Sequence, residues 1–301
     1  MSATEHVEIY AFTDPVCTWC WGSEPVTRKL DALYGQQIDI KPVMGGLVED
    51  IRGFYDAHNN IGGNPEQSNA QIARHWLEAS ERHGMPVETQ GFRLFSSDVF
   101  STYPQNIAYK AVEITHPELA EKFLRRIREA SAAEGRETGR REVLIELASE
   151  TGVEIASFIE ALDDGSAEAA FHDDLNFTRQ YGVRGFPTFL FRYGEKELLL
   201  RGYQSYKSMV AVIASLSAGK VTEAPLTFSE DEIVKLLKKI TRAANAELTE
   251  IFNVPLTHLL ETLNSLASNG TVQYVPAGNG GFWQLQTSTG ECDPVTGTCS
   301  V

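Results

Sequence analysis

Two cysteines three positions apart, placed where a core strand runs into a helix, constrain this chain more than any other feature. Val7 to Thr13 alternates small or polar with apolar residues and ends at the turn formers Asp14-Pro15. Cys17-Thr18-Trp19-Cys20 follows at once. Val26, Leu30 and Leu33 then recur at helical spacing as far as Gly35, which predicts a helix over Trp21 to Tyr34. Gln37 to Val43 alternates again before the bend Gly45-Gly46, so the chain opens as β-α-β with a C-x-x-C at its first strand–helix junction. Disulfide exchange needs a thiolate, and a cysteine at a helix N-terminus obtains one from unpaired backbone N–H groups and the helix dipole. Cys17 is therefore the expected attacking sulfur. Cys20, one helical turn on, is placed to resolve the mixed disulfide that Cys17 forms.

The rest of the chain divides by pattern. From about residue 50 to 180 the strand signal disappears, and apolar residues fall three and four apart around Ala70 to Arg82, Gln105 to Ile114, Pro117 to Ala133, Arg141 to Glu150 and Ile155 to Leu162. This predicts an inserted all-helical domain. Strand character returns at Pro187 to Arg192 and Glu197 to Arg201, joined by the turn 193–196, and a helix from Ser205 to Leu216 closes the first domain, residues 1–218. Residues 219–228 read as a linker rich in small residues and proline. Within 229–287 three short helices precede two strands joined by Gly278-Asn279-Gly280-Gly281, a winged-helix-like α+β pattern with Ser229 as the first N-cap. Residues 288–301 form a tail too poor in apolar side chains to fold alone, yet it holds a second pair, Cys292 and Cys299.

The chain has 301 residues, a formal charge of -15 and four cysteines. Such a charge opposes binding to nucleic acid and to anionic membrane surfaces, so neither is expected as a partner. The polar, acidic start and the lack of a long apolar run point to the cytoplasm. Reducing conditions there argue against a structural disulfide framework and for redox or metal chemistry at the two pairs. Zinc held by all four sulfurs is the alternative, but zinc knuckles usually sit in small loop-rich units, whereas this C-x-x-C opens a helix. Neither a metal nor an organic cofactor is required.

A second motif, Gly182-Val183-Arg184-Gly185-Phe186-Pro187-Thr188-Phe189, puts a proline at the start of the returning strand. Together with Asp14-Pro15-Val16-Cys17-Thr18-Trp19-Cys20-Trp21 and Glu24-Pro25, it resembles the DsbA family of thiol-disulfide oxidoreductases, in particular its cytoplasmic FrnE-like and YjbH-like members. The resemblance covers about Val7 to Leu216. It implies a thioredoxin-like α/β fold interrupted by helices, Cys17 as nucleophile, Cys20 as resolver, and Pro187 as a cis-proline facing them, with the preceding backbone free to pair with substrate. Trp19 and Phe186 would flank the site.

Two departures from the family pattern matter. Ala11 stands six residues before the first cysteine, where thioredoxin and DsbA keep a buried acid as proton acceptor. Glu24 is the candidate substitute, against the alternative of a solvated acid on the helix surface. Thr18-Trp19 also replaces the Pro-His of strongly oxidising members, which implies a less oxidising couple.

The function expected is an enzyme, a protein disulfide oxidoreductase or isomerase acting on a disulfide-containing protein or small-thiol substrate and reset by a thiol reductant. The alternative is a redox-linked adaptor or scaffold that binds a client, as YjbH-like protease adaptors do. Glutathione-dependent isomerases fit less well, since they carry serine where Cys17 stands. The candidate recognition helix Thr257 to Ala267 has no Lys or Arg, so the C-terminal domain is expected to bind protein or to form a homodimer. Cys292 and Cys299 form either a relay to Cys17-Cys20 or an incidental tail bridge.

Overall fold

The structure is a computed structural model that describes residues 6–286. The chain opens with β1 (Val7–Thr13), α1 (Thr18–Trp21), α2 (Glu24–Tyr34) and β2 (Ile38–Met44). An insertion follows, with β3 (Tyr55–Asp56), β4 (Ile61–Gly62), α3 (Pro65–His83), α4 (Tyr103–Thr115), α5 (Ala120–Ala132), α6 (Arg141–Thr151), α7 (Ile155–Asp163) and α8 (Ser166–Gln180). The chain then returns through β5 (Thr188–Tyr193), β6 (Lys196–Arg201) and α9 (Tyr206–Ser217). It ends with α10 (Glu230–Ile240), β7 (Arg242–Ala244), α11 (Asn245–Phe252), α12 (Leu256–Ser268), β8 (Val272–Ala277) and β9 (Gly280–Leu285).

The first sheet has the order β2-β1-β5-β6, with β1 parallel to β2 and antiparallel to β5. This is thioredoxin-like topology, and the register follows from alternation along β1. Val7, Ile9 and Ala11 bury one face against Leu30 and Leu33 of α2 and Met209 and Ile213 of α9. Phe12 points the other way, onto Val43, Leu190 and Phe177 of α8. Because a strand's side chains alternate, a slip of one residue would expose both sets at once.

Several elements depart from the sequence expectation. The helix predicted over Trp21 to Tyr34 is broken at Gly22-Ser23, where the Ser23 hydroxyl donates to the Trp19 carbonyl. Gly22 is needed at this break, since a Cβ there would lie 2.4 Å from the His83 ring. The insertion is not all-helical, because β3 and β4 pair within it, Tyr55 opposite Gly62. Helix α8 lies beyond the predicted helices and contains the pair Asp173-Asp174. Asp174 accepts from the Met44 N–H at 2.8 Å and pairs with Lys110 at 3.2 Å, fastening α8 to the end of β2.

The C-terminal unit runs helix, strand, helix, helix, strand, strand, with sheet order β7-β9-β8. The short strand β7 had no sequence signal. Ser229 caps α10 by accepting from the Glu232 N–H. Ile233, Leu248, Leu259, Leu263 and Trp283 form the unit's own core. Residues 219–228 are irregular but tethered: Val221 is buried, Ala224 N–H donates to the Leu33 carbonyl, and Gln37 bonds both N–H and C=O of Thr222. The hairpin turn of β8 and β9 docks on the insertion, where Asn279 Oδ1 accepts from Val87 N–H at 2.8 Å. Gly278 approaches so closely there that a Cβ would meet the Val87 carbonyl oxygen at 2.3 Å.

Candidate functional site

β1, an inner strand of the sheet, delivers Cys17 and Cys20 just past its C-terminal end through the turn at Asp14. That carboxylate is fully buried and accepts from the N–H groups of Val16 and Leu47, the Thr102 hydroxyl and the Asn106 amide, all within 3.0 Å. Burial raises its pKa in spite of these bonds. Asp14 thus ties the cysteine turn to the insertion, a role that the sequence shows only as an Asp-Pro turn signal.

Cys17 Sγ accepts from the Cys20 N–H at 3.3 Å and lies 3.6 Å from the Phe186 carbonyl oxygen. The Phe186–Pro187 peptide bond is cis. Pro187 begins the return to β5, and the Phe186 ring covers Gly45, where a Cβ would lie 2.0 Å from the ring. Segments about 170 residues apart in sequence are therefore in contact at the sulfur. Trp19, partly exposed at the rim, is surrounded by the rings of Tyr203 at 5.6 Å, His83 at 5.9 Å and His75 at 6.2 Å. Trp21 is buried and turns away, giving its indole N–H to the Pro86 carbonyl and packing on Phe282. Phe54, Phe92 and Phe95 belong to that separate core. Cys292 and Cys299 lie outside the described residues.

The electrostatics differ from the sequence expectation. Cys17 and Cys20 are 6% and 3% exposed. Burial pushes the Cys17 thiol well up, and the adjoining Cys20 sulfur and the Asp14 charge add to this. Burial also opposes ionisation of Cys20, but the Cys17 thiol, the Arg128 guanidinium and the Thr13 hydroxyl outweigh it and lower the Cys20 thiol. The negative charge of the reduced pair is thus drawn to the inner sulfur. Burial is the largest cause of the difference, and α1, a single turn, has only a small dipole to set against it.

Glu24 is not a solvated acid on the helix surface, and that expectation is corrected. It is 7% exposed and pairs with Arg128, with Arg125 at 3.3 Å and with Arg28 at 3.4 Å. Burial works against its charge, but Arg128, Arg125 and Arg28 bring its pKa down to about 2. A carboxylate so firmly ionised is a weak base at neutral pH. Arg125 continues the array to Glu129 at 2.6 Å and, through two nitrogens at 2.7 and 2.9 Å, to the fully buried Glu247 of α11. The arginines Arg125 and Arg128 come from the insertion, and periodicity marked their helix but not their partners.

His83 is buried beside Trp19. Its Nδ1 accepts from the Met85 N–H at 3.1 Å, while Nε2 is buried with no hydrogen-bond partner among the described residues. Burial lowers its pKa to about 4, so it is neutral at pH 7 under the Trp19 ring.

Comparison with known proteins agrees with this geometry. Over 284 residues the chain is 28% identical to the ClpXP adapter protein SpxH of Halalkalibacterium halodurans, covering 92% of this chain and 88% of that one. The cytosolic disulfide reductase DsbM from Pseudomonas aeruginosa is similar in structure, with a TM-score of 0.54 and 25% identity over 69% of this chain and 99% of that one. A Nitrosomonas europaea structure, described as a candidate protein disulfide isomerase, shares the fold with a TM-score of 0.59 and 22% identity, over 70% of this chain and 97% of that one. No helix among the described residues is long and apolar enough to cross a membrane. The thioredoxin family model matches residues 10–211, and with the β2-β1-β5-β6 sheet, the C-x-x-C turn and the opposed proline, this places the chain in the thioredoxin family.

Proposed function

We propose that this chain is a redox-linked adaptor: it binds a client protein and presents it to the ClpXP protease, with the Cys17-Cys20 pair as a redox-responsive element. Burial of both sulfurs is the observation that carries this reading. Fast disulfide exchange needs an exposed thiolate at the attacking sulfur. Here the outer sulfur is 6% exposed with its pKa pushed up, and the stabilising cation stands beside the inner one. The extent of the likeness to proteins named as ClpXP adapters supports it, because a match over 92% of the chain leaves too little unmatched to exclude the C-terminal unit. That unit offers surface for a partner beyond the thioredoxin domain.

The cis-proline opposite Cys17 favours a second reading, thiol-disulfide exchange with a protein or small-thiol disulfide. Cys17 would attack the substrate disulfide and release one substrate thiolate. Cys20 would then attack the mixed disulfide, releasing the second substrate thiol and leaving Cys17-Cys20 oxidised for reduction by an external thiol. Two measurements separate the readings. On the adaptor reading the chain reduces insulin no faster than Cys17→Ser does, and a protein that accumulates when the gene is deleted is degraded faster by purified ClpXP when the chain is added. Insulin reduction that Cys17→Ser abolishes, with no effect on ClpXP, replaces the adaptor by the oxidoreductase.

A further inference from the structure

A buried dithiol needs a charged group that governs the ionisation of its inner sulfur, and strand β1 does not supply one. Ala11 stands where an acid would act, and the space beside it is a cavity of about 220 Å³ whose lining includes Thr13, Cys20, Glu24, Arg128 and Pro187. Of the charged groups that α5 brings to this cavity, Glu121, Arg125 and Arg128, the one that reaches Thr13 is Arg128. Its Nη2 donates to Thr13 Oγ1 at 2.6 Å, its Nη1 pairs with Glu24, and its Nε is buried without a hydrogen-bond partner among the described residues. The Thr13 hydroxyl accepts from Arg128 and so keeps its own proton to give; it lines the same cavity as Cys20, and hydrogen bonding from it favours ionisation of that thiol.

We propose that Arg128 and Thr13 are the positioning pair of the redox centre: the guanidinium fixes the Thr13 hydroxyl in the cavity beside Cys20 and stabilises negative charge that develops on that inner sulfur. A cation recruited from the insertion thus takes over from a carboxylate on the strand. The surrounding charges leave Arg128 free for this. Arg125 is matched by Glu247 and Glu129, whereas Arg128 has only a share of Glu24, which also faces Arg28 and Arg125. On the far side Asp14 lies near Cys17 and discourages charge on the outer sulfur. The electrons and protons balance. Two glutathione thiols break the Cys17–Cys20 bond and form one glutathione disulfide; of their two protons one goes to Cys17, and the other goes to Cys20 or, as that thiol ionises, to solvent.

The inference rests on Cys17-Cys20 being redox-active and not on delivery of a client, so the two fail separately. The test is the equilibrium of the full chain with glutathione at pH 7, read by alkylation and mass spectrometry, together with thiolate absorbance against pH. Arg128→Met is expected to favour the disulfide about tenfold, about 30 mV more reducing, and to raise the pH at which thiolate appears. Arg128→Lys should restore most of the shift, a rescue that mere filling of space would not give. Thr13→Val should move the equilibrium the same way by less. Glu24→Gln, which frees Arg128 from its counter-charge, should move it toward the dithiol. An unchanged constant in a folded Arg128→Met overturns the proposal. Should that variant not fold, unchanged constants in both Thr13→Val and Glu24→Gln overturn it.

Discussion

The apolar layer between the sheet and α2 and α9 and the charged seam where α2, α5 and α11 meet are almost equally dry, yet they are assembled from opposite chemistry. Leu30 and Phe191 in the layer are 0% exposed, and Glu247, Glu129 and Glu24 in the seam are 0%, 4% and 7% exposed. The layer gains from every apolar group removed from water, and neighbours of similar volume are partly interchangeable. The seam gains only when each charge meets its partners, since an ion left alone in a dry place costs several kcal/mol. Arg125 must meet Glu24, Glu129 and Glu247 together, and two of these are more than 100 positions away in sequence. The layer therefore provides stability, while the seam fixes how the insertion and the C-terminal unit sit on the thioredoxin unit.

Three measurements sharpen or break this contrast. Phe191→Ala, which empties part of the layer, should lower the unfolding free energy by about 4 kcal/mol in urea denaturation. Glu247→Ala, which removes the two-oxygen partner of Arg125, should lower it by about 3 kcal/mol. It should also loosen α11, seen as faster amide exchange there and not in β1. A loss below about 1 kcal/mol, within the range of a surface pair, would mean that water reaches the seam and that the contrast is wrong.

The smallest effect is in pH dependence. Glu24 is held at about 2 by its arginines against burial, below its unfolded value of 4.5. Its contribution is present above the unfolded pKa and is lost as pH falls from about 4.5 toward 2, so about 2 kcal/mol should disappear between pH 5 and pH 3. Glu24→Gln should be less stable than wild type at pH 5, and the gap should narrow by that amount at pH 3. A gap that does not change with pH would place the loss in packing and not in charge.

How much of this was legible in the sequence follows the same division. Alternation along β1 and helical spacing in the insertion located the sheet and most helices, because apolar side chains must share a face whatever they touch. Helix α8 escaped although Ala167, Phe171 and Leu175 are buried in it. Strand β7 is three residues long, too short for a period to show. Glu24 looked like a surface acid because an ionisable residue two turns from solvent and one facing a distant arginine read alike.

The residues alone determined that a strand ends in a turn bearing two sulfurs, and that a proline opens the strand returning beside it. These are local matters of periodicity, turn chemistry and spacing. Only the tertiary structure decided which sulfur holds the charge and which ions meet beneath it. Burial and Coulomb attraction act through space between groups brought from separate helices, and no local pattern records which distant charge will be the neighbour.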